Sequence, residues 1–207
     1  MIYLIIDTTT SYVTVSIVED NTILYEYHEK IFSDMSSKMI PIIDRAFRKI
    51  NLNLKDIDKI FIINGPGSFT GIRVGVTIAK TIAWALKKEI VPLSSLEFMA
   101  TTGTSKKYLV PMIDARRGNV FAGIYDENLN CVKKDSLINL GELLKETDSE
   151  YEFISYDNLG LKKVIEPKPN VIKIINKHKN DKGVNPHNLN PNYLKLTEAE
   201  ENRLKND

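Results

Sequence analysis

Residues 59–71 read KIFIINGPGSFTG, an apolar run that ends in a glycine-rich loop. The run from Lys59 to Ile63 predicts a buried strand, and residues 70–88 beyond the loop predict a helix. Strands that alternate with helices are typical of α/β folds, in which helices cover the sheet. The sequence therefore predicts an α/β lobe whose sheet carries helices.

The glycine loop permits two interpretations. Loops between a strand and a helix often cradle phosphates, because backbone N–H groups converge at the positive end of the helix. The spacing of Gly65, Gly67 and Gly71 is one residue longer than a dinucleotide fingerprint. A P-loop needs lysine after its last glycine, where this chain has Ile72, and Pro66 removes one N–H donor. We favour a tight strand-to-helix turn, and anion contact is the alternative.

The segments before Lys59 predict a meander and a helix. Three strands with turn residues between them are expected at Ile2–Ile6, Tyr12–Val18 and Ile23–Glu29. The helix is indicated by apolar residues at helical spacing, namely Met39, Ile43, Ala46, Phe47 and Ile50. Ser36 or Ser37 is expected to cap it, with Pro41 near the first turn. Ile40 and Ile42 widen its apolar face, so either both sides pack within the fold or one side meets a partner.

The polar segment 103–107 is the predicted boundary between an N-terminal lobe, 1–102, and a C-terminal lobe, 103–207. The second lobe is predicted to begin like the first, with strands at Tyr108–Ile113 and Val120–Tyr125 joined by a turn. Asp7 and Asp114 then follow equivalent strands, which is a weak internal repeat. In the first lobe, an extended segment is also expected from Val91, followed by a helix that Ser94 or Ser95 caps and that runs through Thr101.

In the second lobe, helices are expected near Leu140–Thr147 and Val171–Lys179 and a strand near Tyr151–Ser155. A loop is expected over Asn180–Asn192 and a frayed end at Asn202–Asp207.

Composition excludes several classes of protein. Lys and Arg number 28 and Asp and Glu 27, so a net charge of +1 argues against an autonomous nucleic-acid binder and leaves only a local basic patch open. The single cysteine, Cys131, cannot form an internal disulfide, and with three histidines it leaves little for a zinc site. No apolar run reaches membrane-spanning length, and Asp7 interrupts the N-terminal run too early for a signal peptide. These features predict no membrane association and a reduced, cytoplasmic compartment.

The predicted helix after the glycine loop carries a row of small residues, Gly71, Gly75, Ala79 and Ala83, at intervals of four. Glycine weakens a helix interior by about 1 kcal/mol relative to alanine, so the row indicates close approach by another backbone. That backbone belongs either to the first helix or the sheet, or to another subunit. Ile72, Val76, Ile78, Ile82 and Leu86 make this helix apolar on more than one side, which favours a partner.

Residues 64–75, NGPGSFTGIRVG, closely resemble the signature of the bacterial TsaB (YeaZ) family. Residues 5–9, IIDTT, resemble the family's first strand and turn, and residues 113–121, IDARRGNVF, resemble its second-lobe motif. Residues 191–195, PNYLK, resemble its C-terminal motif with Lys195 in place of arginine. The resemblance covers most of residues 1–125 and this short C-terminal element.

The resemblance implies an actin/Hsp70-like (ASKHA, ribonuclease H-like) fold of two related lobes. It also implies a role in forming N6-threonylcarbamoyladenosine at position 37 of tRNAs that read codons starting with A. A separate subunit, TsaD, carries the metal and transfers the threonylcarbamoyl group, and the small ATPase TsaE completes the complex. The chain is thus expected to be a non-catalytic subunit without cofactors of its own, which meets tRNA only through the complex and can also form a homodimer.

The resemblance places the contact with TsaD on the two first-lobe helices. The expected interface residues are Met39, Ile40, Ile43, Phe47, Gly71, Gly75, Ile78, Ala79 and Ile82. A vestigial nucleotide site or an interface-anion site is expected at Asp7, Thr8, Ser68, Arg73 and Asp114. For Asp7 and Asp114 a structural role is favoured, because a lone carboxylate is a weak functional sign.

The types and spacing of several residues argue against independent catalysis by this chain. Nucleotide-binding relatives of this fold class carry Asp-x-Gly turns, and here Thr9 and Arg116 occupy the glycine positions, where their side chains obstruct backbone approach to phosphate. The three histidines, His28, His178 and His187, lack the spacing of the metal-binding pair of TsaD, so each is predicted to lie at the surface. Segment 171–190 is short and polar where relatives have a longer helix, which predicts a reduced second lobe. No role is carried onto 36–38, where many relatives have a histidine.

Two other functions remain as alternatives. An independent hydrolase or protease requires a Ser/His/Asp grouping that the sequence does not display. An ATP-dependent small-molecule kinase of the same superfamily is opposed by the missing turn glycines. Turnover by the purified chain alone would favour the first alternative, and tight ATP binding would favour the second.

Overall fold

Nine strands form two sheets in the part of the chain that the computed structural model describes, residues 1–31 and 33–194. The first sheet contains β1 (Ile2–Asp7), β2 (Tyr12–Glu19), β3 (Thr22–Lys30), β4 (Lys59–Ile63) and β5 (Glu89–Leu93), and the second contains β6 (Tyr108–Arg116), β7 (Asn119–Asp126), β8 (Cys131–Asn139) and β9 (Tyr151–Ile154). The helices are α1 (Met35–Lys49), α2 (Phe69–Leu86), α3 (Ser95–Ala100), α4 (Leu140–Lys145) and α5 (Val171–His178), with 3-10 turns at Leu54–Asp56 and Pro186–Asn188.

The first sheet has the order β3-β2-β1-β4-β5. β1, β2 and β3 pair antiparallel, which confirms the predicted meander, and β4 and β5 continue the sheet in parallel with β1. One face packs against α1 and α2 through Leu4, Ile6, Ile60 and Ile62. The opposite face packs against α3 and α5 through Tyr3, Ile5, Phe61 and Ile63. Helices on both faces bury the central strands completely, and this burial explains their continuous apolar sequence.

The second sheet has the order β8-β7-β6-β9, with β9 parallel to β6. β8 was not predicted, because it is a polar edge strand in which apolar and polar residues alternate only weakly. The turn predicted at 114–119 is shorter than expected. β6 continues to Arg116 and β7 begins at Asn119, which leaves Arg117 and Gly118 as the turn.

The C-terminal part of the chain returns to the first sheet. α5 packs on this sheet, and the segment after α5 forms a backbone hydrogen bond with β5, in which Val184 N donates to Ile90 O at 2.8 Å. Lys59 Nζ, which is nearly buried, donates to the carbonyl oxygens of Lys179 and Asp181. The division into lobes 1–102 and 103–207 stays a prediction, and the predicted frayed end at 202–207 lies outside the described residues.

The start of α1 differs from the sequence prediction. The N-cap is Asp34 in a left-handed conformation, φ 57°, without a side-chain cap, and Ser36 and Ser37 lie inside the first turn. Pro41 is the seventh residue of the helix rather than a first-turn residue. Both expectations were wrong because the helix begins earlier than its apolar stripe, with the polar residues that precede Met39.

α2 is long and apolar enough to cross a membrane by length and composition, the one such helix among the described residues. The core helix of a globular fold meets the same two criteria. α2 fits that description, since its buried residues, among them Gly71, Val76 and Ala83, lie against the first sheet.

Candidate functional site

A cleft of about 930 Å³ lies where the ends of β1 and β6 face each other. Its walls come from the turn after β1, the glycine loop, the end of β6 and a C-terminal segment: they are Thr9–Ser11, Ile31, Ser33–Met35, Gly67–Thr70, Ile72, Ile113–Arg116, Phe121, Asp157 and Asn192–Leu194. A cleft of this size, built from separate elements, is the default candidate for a binding site.

Among the described residues, the charged lining of this cleft is mainly acidic. The carboxylates are Asp34, Asp114 and Asp157, and the cation among the lining residues is Arg116. An excess of carboxylates repels a bare phosphate chain.

Asp7 ends β1 beside the cleft but points into the protein. Its Oδ1 accepts hydrogen bonds from Thr9 N at 2.8 Å and Thr9 Oγ1 at 2.7 Å. Burial raises the pKa of the Asp7 carboxyl to about 6, against these two hydrogen bonds, which lower it. The neighbouring Thr8 Oγ1 donates to Gly71 O at 2.7 Å, so this turn ties β1 to α2.

We expect Asp7→Asn to stabilise the protein at neutral pH. The raised pKa means that folded protein binds a proton which unfolded protein releases, so Asp7 lowers the free energy of unfolding as pH rises from about 4 to 6. Asn can accept the same two bonds at Oδ1 without the buried charge. Urea unfolding should show a gain of about 2 kcal/mol at pH 7 that vanishes near pH 4. A gain that is independent of pH would contradict this reading.

Asp114 occupies the equivalent place in the second sheet, but it is exposed and lines the cleft. Its Oδ1 accepts from Arg116 N, and its own N–H donates to Asp157 Oδ2, both at 2.8 Å. The turn that follows is tight, because Arg116, Arg117 and Gly118 all have positive φ. The two aspartates are thus topologically equivalent and differ in burial.

The glycine loop packs against the turn after β1. Ser68 N donates to Thr9 O at 2.7 Å, and a Cβ at Gly67 would lie only 2.2 Å from that same oxygen. Ser68 Oγ caps α2 by accepting from Gly71 N at 3.2 Å. The loop is therefore a tight turn, as favoured from its spacing.

Arg73 projects from the second turn of α2 toward the C-terminal segment. Its Nε donates to Tyr193 Oη at 2.8 Å, and its guanidinium lies 4.0 Å from the ring centre of Phe69. Phe69 and Tyr193 stack at 4.5 Å. Arg73 thus joins the helix to a segment 120 residues away in sequence.

Most residues of the expected partner interface are buried inside this chain. The buried ones are Met39, Ile43, Phe47, Gly71, Gly75, Ala79 and Ile82. Ile40 is 56% exposed, and Ile78 is partly buried. Cβ atoms at Gly71 and Gly75 would meet Thr8, so these two glycines admit the chain's own β1 turn. Of the expected interface residues, Ile40 is thus the exposed one and Ile78 the partly exposed one.

Two histidines predicted to lie at the surface are partly buried instead. His28 Nδ1 lies 2.8 Å from Thr14 Oγ1, and its Nε2 lies 3.1 Å from Tyr156 Oη. His178 contacts Glu97 and Asp181. Within residues 1–31 and 33–194 no group of three or more His, Cys, Asp and Glu side chains is placed to hold a metal ion.

Two features of the structure were not predicted from the sequence. Asp157 reaches the cleft from the segment after β9, and no sequence signal marks it. Trp84 is 62% exposed on α2. Helical periodicity alone predicts that Trp84 lies opposite the buried small-residue row, since it is about 140° around the helix from Ala79.

A family model described as "TsaD: tRNA N6-adenosine threonylcarbamoyltransferase" matches residues 29–182. The chain is 33% identical to the tRNA threonylcarbamoyladenosine biosynthesis protein TsaB of Bacillus subtilis, over 97% of the chain and 96% of that protein. It is 28% identical to a tRNA N6-adenosine threonylcarbamoyltransferase of Persephonella marina, over 40% of the chain and 25% of that protein. The full-length match is therefore to TsaB, and the match to the transferase is partial.

Among solved structures, YeaZ from Pseudomonas aeruginosa superimposes with a TM-score of 0.78 at 19% identity, over 93% of this chain and 99% of that one. Identity this low carries the fold alone. Together with the family-model match, it confirms the predicted α/β, actin/Hsp70-like fold, here with two sheets. The reduced second lobe stays a prediction.

Proposed function

The chain belongs to the TsaB family of tRNA threonylcarbamoyladenosine biosynthesis proteins, and from that premise we propose that it is a non-catalytic subunit that binds and supports TsaD. Membership assigns it to the formation of threonylcarbamoyladenosine in tRNA. The proposal concerns its part in that process, namely modification of adenosine 37 in tRNAs that read A-starting codons.

The observation that carries the non-catalytic role is the closed turn after β1. Thr9 replaces the turn glycine, and the glycine loop bonds Thr9 O and approaches it too closely for any Cβ at Gly67. A phosphate chain that entered here would have to displace this loop. The acidic lining of the cleft adds electrostatic repulsion to the steric obstacle.

The second turn supports the same proposal. Arg116 stands at the glycine position, and its backbone N–H is already donated to Asp114. Asp114 is exposed, whereas Asp7 is buried and turned away. Of the two carboxylates, Asp114 lines the cleft and Asp7 does not, so they are not presented together to a substrate or metal in the cleft.

The partner surface proposed here is the outer side of α1 and α2. Ile40 is exposed on α1, and Val74 and Ile78 of α2 are only partly buried. The exposed isoleucine on α1 and the partly covered apolar residues on α2 offer apolar area for a partner to bury. In the proposed complex TsaD occupies this surface, and a second copy of the chain takes its place when TsaD is absent.

ATP and metal are assigned by this proposal to the TsaD and TsaE subunits, and tRNA to the assembled complex. Calorimetry with Mg·ATP tests the assignment, because the kinase alternative requires tight binding by this chain. We expect no saturable heat with the isolated chain and a binding isotherm once TsaD and TsaE are added. Tight ATP binding by the isolated chain would refute the non-catalytic role.

The group around Ser94 gives the hydrolase alternative no support. Ser94 Oγ donates to Asp135 and caps α3, but the third contact of this group is Tyr125 rather than a histidine. A serine without a neighbouring base lacks the activation that nucleophilic catalysis needs.

A further inference from the structure

Trp84 is the chain's single tryptophan, and it lies largely in solvent near the end of α2. Its side chain is 62% exposed and meets the ring of His187 edge-on, with 6.3 Å between ring centres. Leaving a tryptophan in water forgoes a large amount of apolar burial, so an exposed one is typical of a binding surface.

Cationic side chains surround Trp84 on the same side of α2. Arg73 lies eleven residues earlier, about 16 Å along the helix and in line with Trp84, and Lys80 is one turn away. Lys80 is held in place by bonds to the carbonyl oxygens of His187 and Leu189. Lys87 and Lys88 follow directly, where the helix ends.

No carboxylate neutralises this surface from within the helix, since α2 contains neither Asp nor Glu. The next acidic residue, Glu89, forms an ion pair with Lys59 Nζ at 3.2 Å. Within residues 1–31 and 33–194 neither Lys87 nor Lys88 forms an ion pair. Among the described residues, the surface therefore combines an open aromatic face with lysines that no carboxylate pairs, in a chain whose net charge is only +1.

We propose that the surface formed by Arg73, Lys80, Trp84, Lys87 and Lys88 binds RNA directly, with an unpaired base stacked on Trp84 and phosphates bound by the lysines. Charge complementarity selects a polyanion, and the exposed indole adds a stacking face that phosphate contacts alone do not need. The inference rests on the proposed function, in which tRNA is the substrate of the complex, and it adds a contact made by this chain itself.

This surface is distinct from the partner surface. Ile78 lies about 120° around the helix from Trp84 and packs against the core that α1 and α2 share with the first sheet, whereas Trp84 and Lys80 contact the C-terminal segment. A TsaD subunit seated on Ile40 and Ile78 therefore leaves the Trp84 side open to a tRNA held by the complex.

Because the chain has one tryptophan, its intrinsic fluorescence reports on this surface. The full chain is titrated with an unmodified transcript of a tRNA that reads A-starting codons, at about 50 mM salt. We expect saturable quenching, and binding that weakens steeply as salt increases. In fluorescence anisotropy with labelled tRNA, Trp84→Ala should weaken binding about tenfold and Trp84→Phe much less.

The lysines are tested by salt dependence. Lys87→Ala/Lys88→Ala should reduce the slope of log K against log salt by about 2, which corresponds to two phosphate contacts. Lys162→Ala/Lys163→Ala, another exposed pair of adjacent lysines, is the matched control and should leave the slope unchanged.

Two results would overturn the RNA proposal. One is Trp84 fluorescence that tRNA does not quench, together with wild-type affinity of the Trp84→Ala chain for tRNA. The other is a blue shift of Trp84 emission on adding TsaD without RNA, measured against the Trp84→Phe chain, since a protein then covers the surface. In either case, continued dependence of tRNA modification on the chain would leave the proposed function standing.

Discussion

Replacing Gly71 with alanine should destabilise the protein by about 2–3 kcal/mol, even though alanine is the better helix former. A Cβ at Gly71 would lie 2.0 Å from Thr8 O. Both partners are backbone: Thr8 directly follows the central strand β1, and Gly71 is in the first turn of α2. The clash is relieved only if the helix moves away from the sheet, which also weakens the bond from Thr8 Oγ1 to Gly71 O.

Gly141→Ala is the matched control, because Gly141 also lies in the first turn of a helix. Its nearest foreign atom would be Asn139 Oδ1 at 3.2 Å, the end of a side chain. Urea unfolding followed by circular dichroism should show a change within about 0.5 kcal/mol for this variant. Equal effects of the two substitutions would mean that the contact between α2 and β1 is looser than described.

Gly75 offers an internal check on the same contact. Its Cβ would lie 2.3 Å from Thr8 Oγ1, a side-chain atom that mutation can remove. Gly75→Ala should therefore be much less destabilising in a Thr8→Ala background, whereas Gly71→Ala should gain no such relief. These substitutions damage the fold, so loss of TsaD binding by a Gly75 variant would not identify an interface.

Ile40→Asp should abolish association with TsaD while the fold stays intact. Ile40 is 56% exposed, so the substitution removes little core packing, but it places a charge in the proposed interface. Loss of a central apolar anchor weakens binding by about 2 kcal/mol, roughly thirtyfold, and the buried carboxylate adds to this. Co-purification and the rate of tRNA modification should fall together.

Ile23→Asp is the control for that experiment. Ile23 is 42% exposed and belongs to the edge strand β3 rather than to α1 or α2, and it receives the same change of side chain. It should retain wild-type binding to TsaD. Normal binding by Ile40→Asp, or equal losses in both variants, would contradict the proposed partner surface.

Local patterns predicted the first lobe well for a physical reason. β1 and β4 are buried on both faces, so their sequences are continuously apolar, and the loop 64–68 carries glycines that its close contacts require. Where one face meets water, the signal weakens. β8 was not predicted because it is a mostly polar edge strand, and two of its apolar residues, Val132 and Leu137, are exposed rather than buried.

The candidate site was harder to predict, because it depends on which side of a helix faces inward. α2 is apolar on several sides, so its small-residue row was compatible with packing against a subunit or within the chain. In the structure, Gly71 and Gly75 of this row pack against Thr8. Nothing local indicates that Arg73 meets Tyr193 or that Asp157 bonds Asp114. Such contacts join distant segments and become visible only when the chain is folded.

The central claim is that this chain supplies a binding surface and leaves the chemistry to TsaD. Its most direct test is to mix the chain with TsaD, TsaE, tRNA, ATP and threonylcarbamoyl-adenylate, to omit each component in turn, and to measure modified adenosine. We expect product to depend on both the chain and TsaD, and we expect the chain without TsaD to form none. Product from the chain alone, or an unchanged rate without it, would rule out the proposed non-catalytic role.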